Sequence, residues 1–455
     1  MSGFEGDTPP QEQGDADMDE GDEQQNEGGD FIEAGDIATE FEVGEGDKGD
    51  DGMNSEEEDD DDEDERGEAV DDMARATFKG HSDAVYCVAV NPKVPSQFVS
   101  GGGDDKGFLW AIADDGAVAG SRELSGHTDT VASVGFSADG SLLATACYGG
   151  VAKVWTAATG AVKHVLEGPE DIECLTWHTL GNVLLTGSQD GTVWMWEATA
   201  GTCMQVFAGH EKKVSCVMFT TSGKAVVSCS DDATVRVWAP RTGECRHVFG
   251  GHGFHVDAVT CLASHPDPAQ TALIMSGGED GTARVMHVQN KRVLGTMTHC
   301  DSGEGSVEAV GFCASHPWVA TGGTDGFLKV WDSVSGSCRH TCSHPAGVTK
   351  LEWHPAAPLV FTACVDASVR VWDARTGACT GVLTGHTDMV LDMRLVDLRS
   401  QEERDVAAAA MVATGAVDIP VLIVTASDDN TCKVFRWPLL QTEATLAGTA
   451  GGPGL

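Results

Sequence analysis

Four residue types that can pass hydrogen bonds to one another recur at fixed spacings along this chain of 455 residues. A histidine comes first, then a serine or threonine, an aspartate and a tryptophan, as in His81, Ser100, Asp104 and Trp110. Imidazole, hydroxyl, carboxylate and indole groups can bond in series, so a buried sheet can carry them without leaving polar atoms unpaired. No nucleophile–base set or glycine-rich phosphate loop stands out, so the chemistry indicated is structural.

The pattern is present in eight copies. We count each copy from an anchor residue, four residues before the first valine or isoleucine of its first strand; the anchors are His81, His127, Gly168, His210, His255, Gly303, His344 and His386. Every copy keeps the hydroxyl residue, at Ser100, Thr145, Thr186, Ser228, Ser276, Thr321, Thr362 and Thr425. Other positions vary: Gly149 replaces the aspartate, Gly168 and Gly303 replace the histidine, and Met286 and Phe435 replace the tryptophan. We expect these five copies to depend more on packing.

Repeats of this kind are typical of WD40 propeller blades, which begin near a glycine–histidine pair and end near a tryptophan after about 40–45 residues. The sequence therefore predicts an all-β fold, a WD40 β-propeller of eight blades over residues 73–437. Residues 76–78 should supply the outermost strand of the last blade and close the ring, which removes an open sheet edge. The loop before each innermost strand and the turn that carries the aspartate should lie on one face of the disc.

The ends of the chain differ from the repeats in composition. Residues 1–72 hold 32 acidic and 2 basic residues, a net charge of −30 within a total of −44. Such a segment has too few apolar residues to offset its ordering entropy, so we predict a disordered acidic tail. Residues 438–455 are predicted to be a weakly ordered C-terminal tail.

Several function classes find no support in the sequence. It has no apolar run long enough to span a membrane and no signal peptide at its start, and its 15 cysteines follow the repeat rather than a disulfide or zinc pattern. The His-Pro pairs at His265, His316 and His354, with His178 in the equivalent loop, fall in different blades, so we interpret them as turns. We expect no cofactor, no metal and no enzymatic activity, a monomer, and a cytoplasmic location with the nucleus as a further one.

Charged residues concentrate in the loops of the face that carries the aspartate turns. Five acidic residues lie two positions beyond an anchor and three directly precede the turn aspartate: Asp83, Asp129, Glu170, Asp257 and Asp388, and Asp231, Glu279 and Asp428. This acidic face would attract a basic protein and speed its encounter. Alternatively, these residues only cap their turns. Direct binding of nucleic acid is not expected, because the net charge would repel phosphates.

Two further features suggest other contacts. Blade seven ends in Trp372, Asp373 and Arg375, a pattern that some propellers use to dock on adaptors of cullin–RING ubiquitin ligases, although such a short motif has many false matches. Blade eight carries about twenty extra residues near positions 396–420. They form either a second binding element or a tolerated insertion.

Several strings exceed the general repeat pattern: GGGDDKGFLW (101–110), DIECLTWH (171–178), TVWMWE (192–197), SVEAVGFC (306–313) and VDASVRVWDARTG (365–377). In these, and in its acidic N-terminal segment, the chain resembles the angio-associated migratory cell protein family. That family is similar to a fungal WD-repeat ribosome-assembly chaperone, which shields a basic large-subunit ribosomal protein. The resemblance implies such a chaperone role. The blade-eight insertion and this tail sequence depart from the family pattern.

The sequence thus favours a non-catalytic scaffold that holds a basic, ribosomal protein during large-subunit assembly. A substrate receptor of a cullin–RING ubiquitin ligase, dependent on Arg375, is the main alternative. A scaffold for cell migration or signalling, which the family name implies, and a chaperone of histones, which are also basic, remain open.

Overall fold

A computed structural model describes residues 71–300, 305–398 and 420–438. The segments predicted to be disordered or weakly ordered lie outside these ranges except for residues 71, 72 and 438, and most of the blade-eight insertion also lies outside them. Within them the chain forms eight four-stranded antiparallel sheets, so the predicted all-β propeller with eight blades is confirmed. No helix among the described residues is long and apolar enough to cross a membrane.

Each of blades one to four uses four consecutive strands, from the innermost outward. Blade one is β2 (Val85–Val90), β3 (Gln97–Gly102), β4 (Gly107–Ile112) and β5 (Val118–Leu124); blade two is β6 (Val131–Phe136), β7 (Leu142–Cys147), β8 (Val151–Thr156) and β9 (Ala161–Glu167). Blade three is β10 (Ile172–Trp177), β11 (Val183–Ser188), β12 (Val193–Glu197) and β13 (Thr202–Phe207); blade four is β14 (Val214–Phe219), β15 (Val226–Ser230), β16 (Val235–Trp238) and β17 (Cys245–Phe249).

Blades five to seven repeat this order, and blade five also contains a short 3₁₀ helix (Pro268–Gln270). Blade five is β18 (Val259–Ser264), β19 (Leu273–Gly278), β20 (Thr282–His287) and β21 (Arg292–Thr298); blade six is β22 (Val307–Phe312), β23 (Trp318–Gly323), β24 (Phe327–Asp332) and β25 (Cys338–Ser343). Blade seven is β26 (Val348–Trp353), β27 (Leu359–Cys364), β28 (Val369–Asp373) and β29 (Ala378–Leu383).

Blade eight closes the ring with strands from both ends of the repeat region. Its strands β30 (Val390–Asp397), β31 (Val421–Ser427) and β32 (Cys432–Trp437) are completed by β1 (Ala76–Phe78), whose Phe78 pairs with Cys432. This confirms the closure predicted from residues 76–78. The Phe78 ring also stacks on Trp110 of blade one at 4.9 Å, so the closing strand joins the first and last blades.

The hydrophobic core lies between adjacent blades rather than within any one of them. Valine, isoleucine, leucine and aromatic side chains from the two facing sheets form a separate buried cluster at each junction; the junction of blades eight and one, for example, contains Val85, Phe98, Trp110, Leu422 and Val434. Because each sheet needs both neighbours to bury its faces, the disc is held together by ring closure.

Each innermost strand carries an irregularity at the same place. The pairing with the second strand shifts by one residue directly after the first valine or isoleucine, for example between Val85 and Cys87 and between Ile172 and Cys174. Such a bulge redirects the side chain of the skipped residue. The skipped positions lie at the start of the strands that surround the axis, and they include Tyr86, Glu173 and Glu308.

Candidate functional site: the acidic face and the central channel

The hydrogen-bond series predicted from the repeat is present in the blades. In blade four, His210 Nδ1 lies 2.8 Å from Asp232 Oδ2, His210 Nε2 lies 2.8 Å from Ser228 Oγ, and Trp238 Nε1 donates to the same hydroxyl at 2.8 Å. Burial disfavours ionisation of Asp232, but bonds from His210 and Thr234 lower its pKa, so it remains a carboxylate.

Serine, histidine and aspartate in this order have the residue types of a hydrolytic triad, yet the geometry gives them a structural role. The Ser228 side chain is fully buried, and its oxygen already accepts the indole N–H of Trp238. A substrate therefore cannot reach this hydroxyl. The histidine–aspartate contact joins the loop before the innermost strand to the turn before the third strand, so both lie on one face, as predicted.

One predicted departure is wrong. Blade six has its histidine after all: His299 Nδ1 lies 2.6 Å from Thr321 Oγ1, and His299 Nε2 lies 3.1 Å from Asp325 Oδ1. The ring is turned around relative to blade four, because His299 comes four residues before Gly303 and approaches the hydroxyl from a longer loop. A fixed count from the first strand therefore missed it.

The other departures are present, and those in blades two and three have a visible cost or compensation. In blade three, Trp194 stacks on Trp196 at 5.4 Å and occupies the space beside Gly168, where a Cβ atom would lie 2.7 Å from the Trp194 ring. In blade two, which lacks the turn aspartate, and in blade seven, whose Asp366 pairs with Arg370 at 2.7 Å instead, the Nδ1 atoms of His127 and His344 are buried without a partner. Burial, together with a nearby lysine or arginine, lowers the pKa of both imidazoles to about 4.

One group of His, Cys and Asp side chains in the described part of the chain could hold a metal ion, and it overlaps a blade series. Its members are His299, Cys300 and Asp325. Both ring nitrogens of His299 already bond to Thr321 and Asp325. The set therefore serves the structure of blade six. The histidines of the His-Pro turns are likewise engaged locally: His354 Nδ1, for instance, accepts from the Ala357 N–H at 2.9 Å.

All eight residues of the predicted acidic face lie on loops of the face that carries the aspartate turns. Six of them are exposed, whereas Asp231 and Asp428 are half-buried: Asp83, Asp129, Glu170, Asp257, Glu279 and Asp388 are the exposed ones. They come from blades eight and one to five, and blades six and seven contribute none of the eight. The acidic face is therefore an arc over six neighbouring blades rather than a complete ring.

Some of these carboxylates also stabilise their own loops. One oxygen of Asp83, Asp129 and Asp388 accepts the N–H of the following residue at 2.7–2.8 Å. Asp231 accepts from Ser215 Oγ at 2.7 Å and lies 3.9 Å from Lys213 Nζ. Turn capping and surface charge are thus compatible, because a carboxylate that caps a turn still presents its charge to solvent.

Two tyrosines, the only ones in the chain, lie on the acidic face, Tyr86 in blade one and Tyr148 in blade two. Tyr86 is at a bulge and 44 % exposed, and the missing side chain of Gly103 leaves room for its ring beside Asp83. Tyr148 directly precedes the tight turn of blade two. Its pKa is raised by burial and by the nearby charges of Glu173 and Asp129. The residue five beyond each anchor would have identified Tyr86 and Glu173 from sequence.

The innermost strands of all eight blades surround a central cavity of about 740 Å³. Blades seven and eight place an ionic network in it that the sequence analysis did not identify. Arg394 bonds to Glu352 at 3.0 Å and lies 3.8 Å from Asp392, and Lys350 lies 3.5 Å from the other Asp392 oxygen.

The same aspartate also joins this network to blade one. Asp392 is only 6 % exposed, and it accepts the N–H of Val88 at 3.1 Å. Its burial opposes ionisation, but Arg394 and Lys350 lower its pKa, so the charge persists. With two acids and two bases the network is neutral, and it bonds blades seven, eight and one together.

The motif suggested for adaptor docking is mostly buried. Trp372 and Asp373 are 6 % and 8 % exposed, and the Trp372 indole donates to Thr362 as part of the blade series. Arg375 bonds Asp373 through Nε and NH2 at 3.0 and 2.8 Å and keeps half of its side chain exposed. A partner could therefore contact Arg375 but not the tryptophan.

These repeats and their buried hydrogen-bond series define a WD-repeat β-propeller. A family model described as "WD domain, G-beta repeat" matches seven segments, within residues 74–110, 120–156, 160–197, 201–239, 243–286, 292–332 and 336–373. The eighth blade is not matched, which agrees with its insertion and with Phe435 in place of tryptophan.

Within this class, the chain belongs to the angio-associated migratory cell protein family. It is 32 % identical to the human angio-associated migratory cell protein over 376 residues, which cover 80 % of each chain. Among solved structures it is similar to Saccharomyces cerevisiae Sqt1, with a TM-score of 0.71, 23 % identity, and 81 % and 100 % of the two chains covered. It is also similar to Chaetomium thermophilum Sqt1 bound to the N-terminus of ribosomal protein L10, with a TM-score of 0.67, 20 % identity, and 80 % and 100 % covered.

Proposed function

We propose that this protein is a non-catalytic scaffold that holds a basic segment of a ribosomal protein on its acidic face and protects it during large-subunit assembly. The observation that carries the proposal is the arc of exposed carboxylates around one opening of the channel. The complex of Chaetomium Sqt1 with the N-terminus of L10 supports it, because that propeller shares this fold and binds a ribosomal protein segment.

The physics of such an interaction follows from the geometry of the face. Each exposed carboxylate that pairs with a lysine or arginine contributes only about 0.2–1 kcal/mol, so affinity requires several pairs at once. The arc offers six exposed carboxylates over neighbouring blades, which suits an extended basic segment. Long-range attraction also accelerates the encounter, and both effects weaken as salt increases.

The tyrosines of blades one and two give the acidic face a point of higher specificity. An arginine side chain that lies on the Tyr86 ring can pair with Asp83 beside it, and a cation–aromatic contact adds about 0.5–2 kcal/mol. Glu173, whose pKa is raised mainly by burial, adds a less hydrated carboxylate near the same opening. We expect the bound segment to place an arginine at this position.

Peptide titration tests the proposal. A labelled basic peptide from the N-terminus of a ribosomal protein L10 homologue should bind the full chain and dissociate as salt is raised. Reversal of Asp83, Asp129 and Asp388 to lysine should weaken binding by about 30-fold or more, since each lost pair and new repulsion costs about 0.7 kcal/mol or more. The control is Asp114→Lys, on an exposed turn of the opposite face of blade one.

Equal binding by the triple variant and the control would contradict the proposal.

A chaperone of this kind acts where ribosomal proteins are made and assembled, so we propose a cytoplasmic location with access to the nucleus, and a monomeric state. The alternative hypothesis, a substrate receptor of a ubiquitin ligase, now requires that the adaptor contact Arg375 rather than the buried Trp372. Association lost on Arg375→Ala would support it.

A further inference from the structure

The face opposite the acidic one carries two neighbouring pockets that are lined by basic rather than acidic residues. The first, of about 340 Å³, lies between blades three and four and is lined by Met195, Met204 and Phe219, with Arg241 at its rim. The second, of about 260 Å³, lies between blades four and five. The turn of residues 220–225 separates them, since Gly223 lines the first pocket and Lys224 the second.

The second pocket combines an apolar floor with a cationic rim. Ala225, Val237 and Val288 are buried beneath it. Lys224, Arg246 and Lys291 line it and are exposed, and no carboxylate lines either pocket. Residues 73–455 hold 40 acidic and 26 basic residues, so two neighbouring pockets lined by four cations and no acid depart from the average composition.

These cations are not used by the fold. Some lysines and arginines elsewhere in the propeller form ion pairs, such as Lys106 with Glu123 at 3.2 Å and Arg370 with Asp366 at 2.7 Å. By contrast, the side chains of Arg241, Lys224, Arg246 and Lys291 form no ion pair or hydrogen bond with any residue that the structure describes. An unpaired cation beside an apolar floor offers a ligand both a charge and a hydrophobic contact.

We propose that these two pockets dock an acidic peptide segment of a partner protein that carries apolar side chains among its carboxylates. Two pockets on either side of one turn can take two apolar side chains of the same segment, while the rim pairs with the acidic residues around them. Half of the Met204 side chain is exposed, and methionine adapts readily to different apolar ligands.

The alternative anionic polymer, RNA, fits these pockets less well. Single-stranded RNA is held by aromatic side chains on which bases stack, in addition to cations. Two rings line the first pocket, and they pack edge-on against each other: Phe219, which is only 5 % exposed, and the half-buried His178. The pockets therefore offer narrow apolar holes rather than a stacking surface.

The test uses the full chain and a labelled synthetic peptide in which glutamates surround two phenylalanines, followed by fluorescence anisotropy. Charge reversal at Lys224, Arg246 and Lys291 to glutamate should lower the affinity by about tenfold or more, and Met204→Glu should lower it further. Lys163→Glu, an exposed cation of blade two, is the matched control and should leave the affinity unchanged. Circular dichroism verifies that each variant is folded.

Separate outcomes overturn this proposal or the proposed function. A peptide whose phenylalanines are replaced by serine should lose binding; if it binds equally well, the pockets recognise charge alone and the proposal fails. Absence of binding, or equal binding by the reversed variant and the control, also contradicts it. If single-stranded RNA binds and the peptide does not, the cations bind phosphate groups, and the peptide proposal is wrong. The Asp83, Asp129 and Asp388 triple variant should retain the acidic peptide, so loss of basic-peptide binding can be scored independently.

Discussion

Removal of the hydroxyl group from one blade should lower the free energy of unfolding by an amount that depends on how many polar groups it is hydrogen-bonded to. Ser228 Oγ bonds to both His210 Nε2 and Trp238 Nε1, each at 2.8 Å. Ser276 Oγ of blade five bonds to His255 Nε2 at 2.9 Å, but Met286 stands where blade four has its tryptophan. Both hydroxyls are fully buried, so the two sites differ mainly in the number of orphaned groups.

The expected magnitudes follow from this difference. A buried polar group left without its partner costs about 1–3 kcal/mol, so Ser228→Ala should lower the free energy of unfolding by about 2–6 kcal/mol and Ser276→Ala by about 1–3 kcal/mol. Urea unfolding followed by tryptophan fluorescence measures both, provided that the slope with denaturant is unchanged. Equal losses, or a larger loss for Ser276→Ala, would refute the view that these series act as paired hydrogen bonds.

Two further predictions concern blades whose hydrogen-bond series is incomplete. Stability should fall between pH 7 and pH 5: the unfolded imidazoles of His127 and His344, with an ordinary pKa of 6.5, become protonated while the buried ones, at about 4, do not. This lowers the free energy of unfolding by about 2 kcal/mol per histidine at pH 5. A His127→Asn, His344→Asn variant that loses as much stability on acidification would contradict this assignment. In blade three, Gly168→Ala should cost about 1–3 kcal/mol, because the new Cβ would lie 2.7 Å from the Trp194 ring at a φ of +149°. Gly120→Ala, with no atom within 4 Å of the new Cβ, is its control and should change stability by less than about 0.5 kcal/mol in thermal unfolding.

The architecture could be predicted closely from the sequence because the repeat is local and strict. The hydroxyl, aspartate and tryptophan lie on adjacent strands joined by a tight turn, so their spacing hardly varies, and residues 76–78 could be assigned to the last blade by counting strands. The histidine lies on a loop of variable length. Because of that freedom, a fixed spacing predicts Gly303 as the anchor of blade six, whereas His299 performs the role.

Contacts between residues of different blades could not be predicted from the sequence. Glu352 and Arg394 lie 42 positions apart, and their meeting depends on the radius of the channel and on the bulges that turn side chains toward the axis. The same holds for the pockets between blades three, four and five, whose walls come from several separated segments. The exposed loops of the acidic face were placed correctly, but their role as a binding surface stays a prediction.

Affinity capture of the full chain from cytosolic extract, washed at low and at high salt, tests the central claim most directly. The account predicts one basic large-subunit ribosomal protein in stoichiometric amount at low salt, absent from the Asp83, Asp129 and Asp388 triple lysine variant and retained by Arg375→Ala. Ubiquitin-ligase adaptor subunits lost on Arg375→Ala, with no ribosomal protein enriched over control, would contradict it.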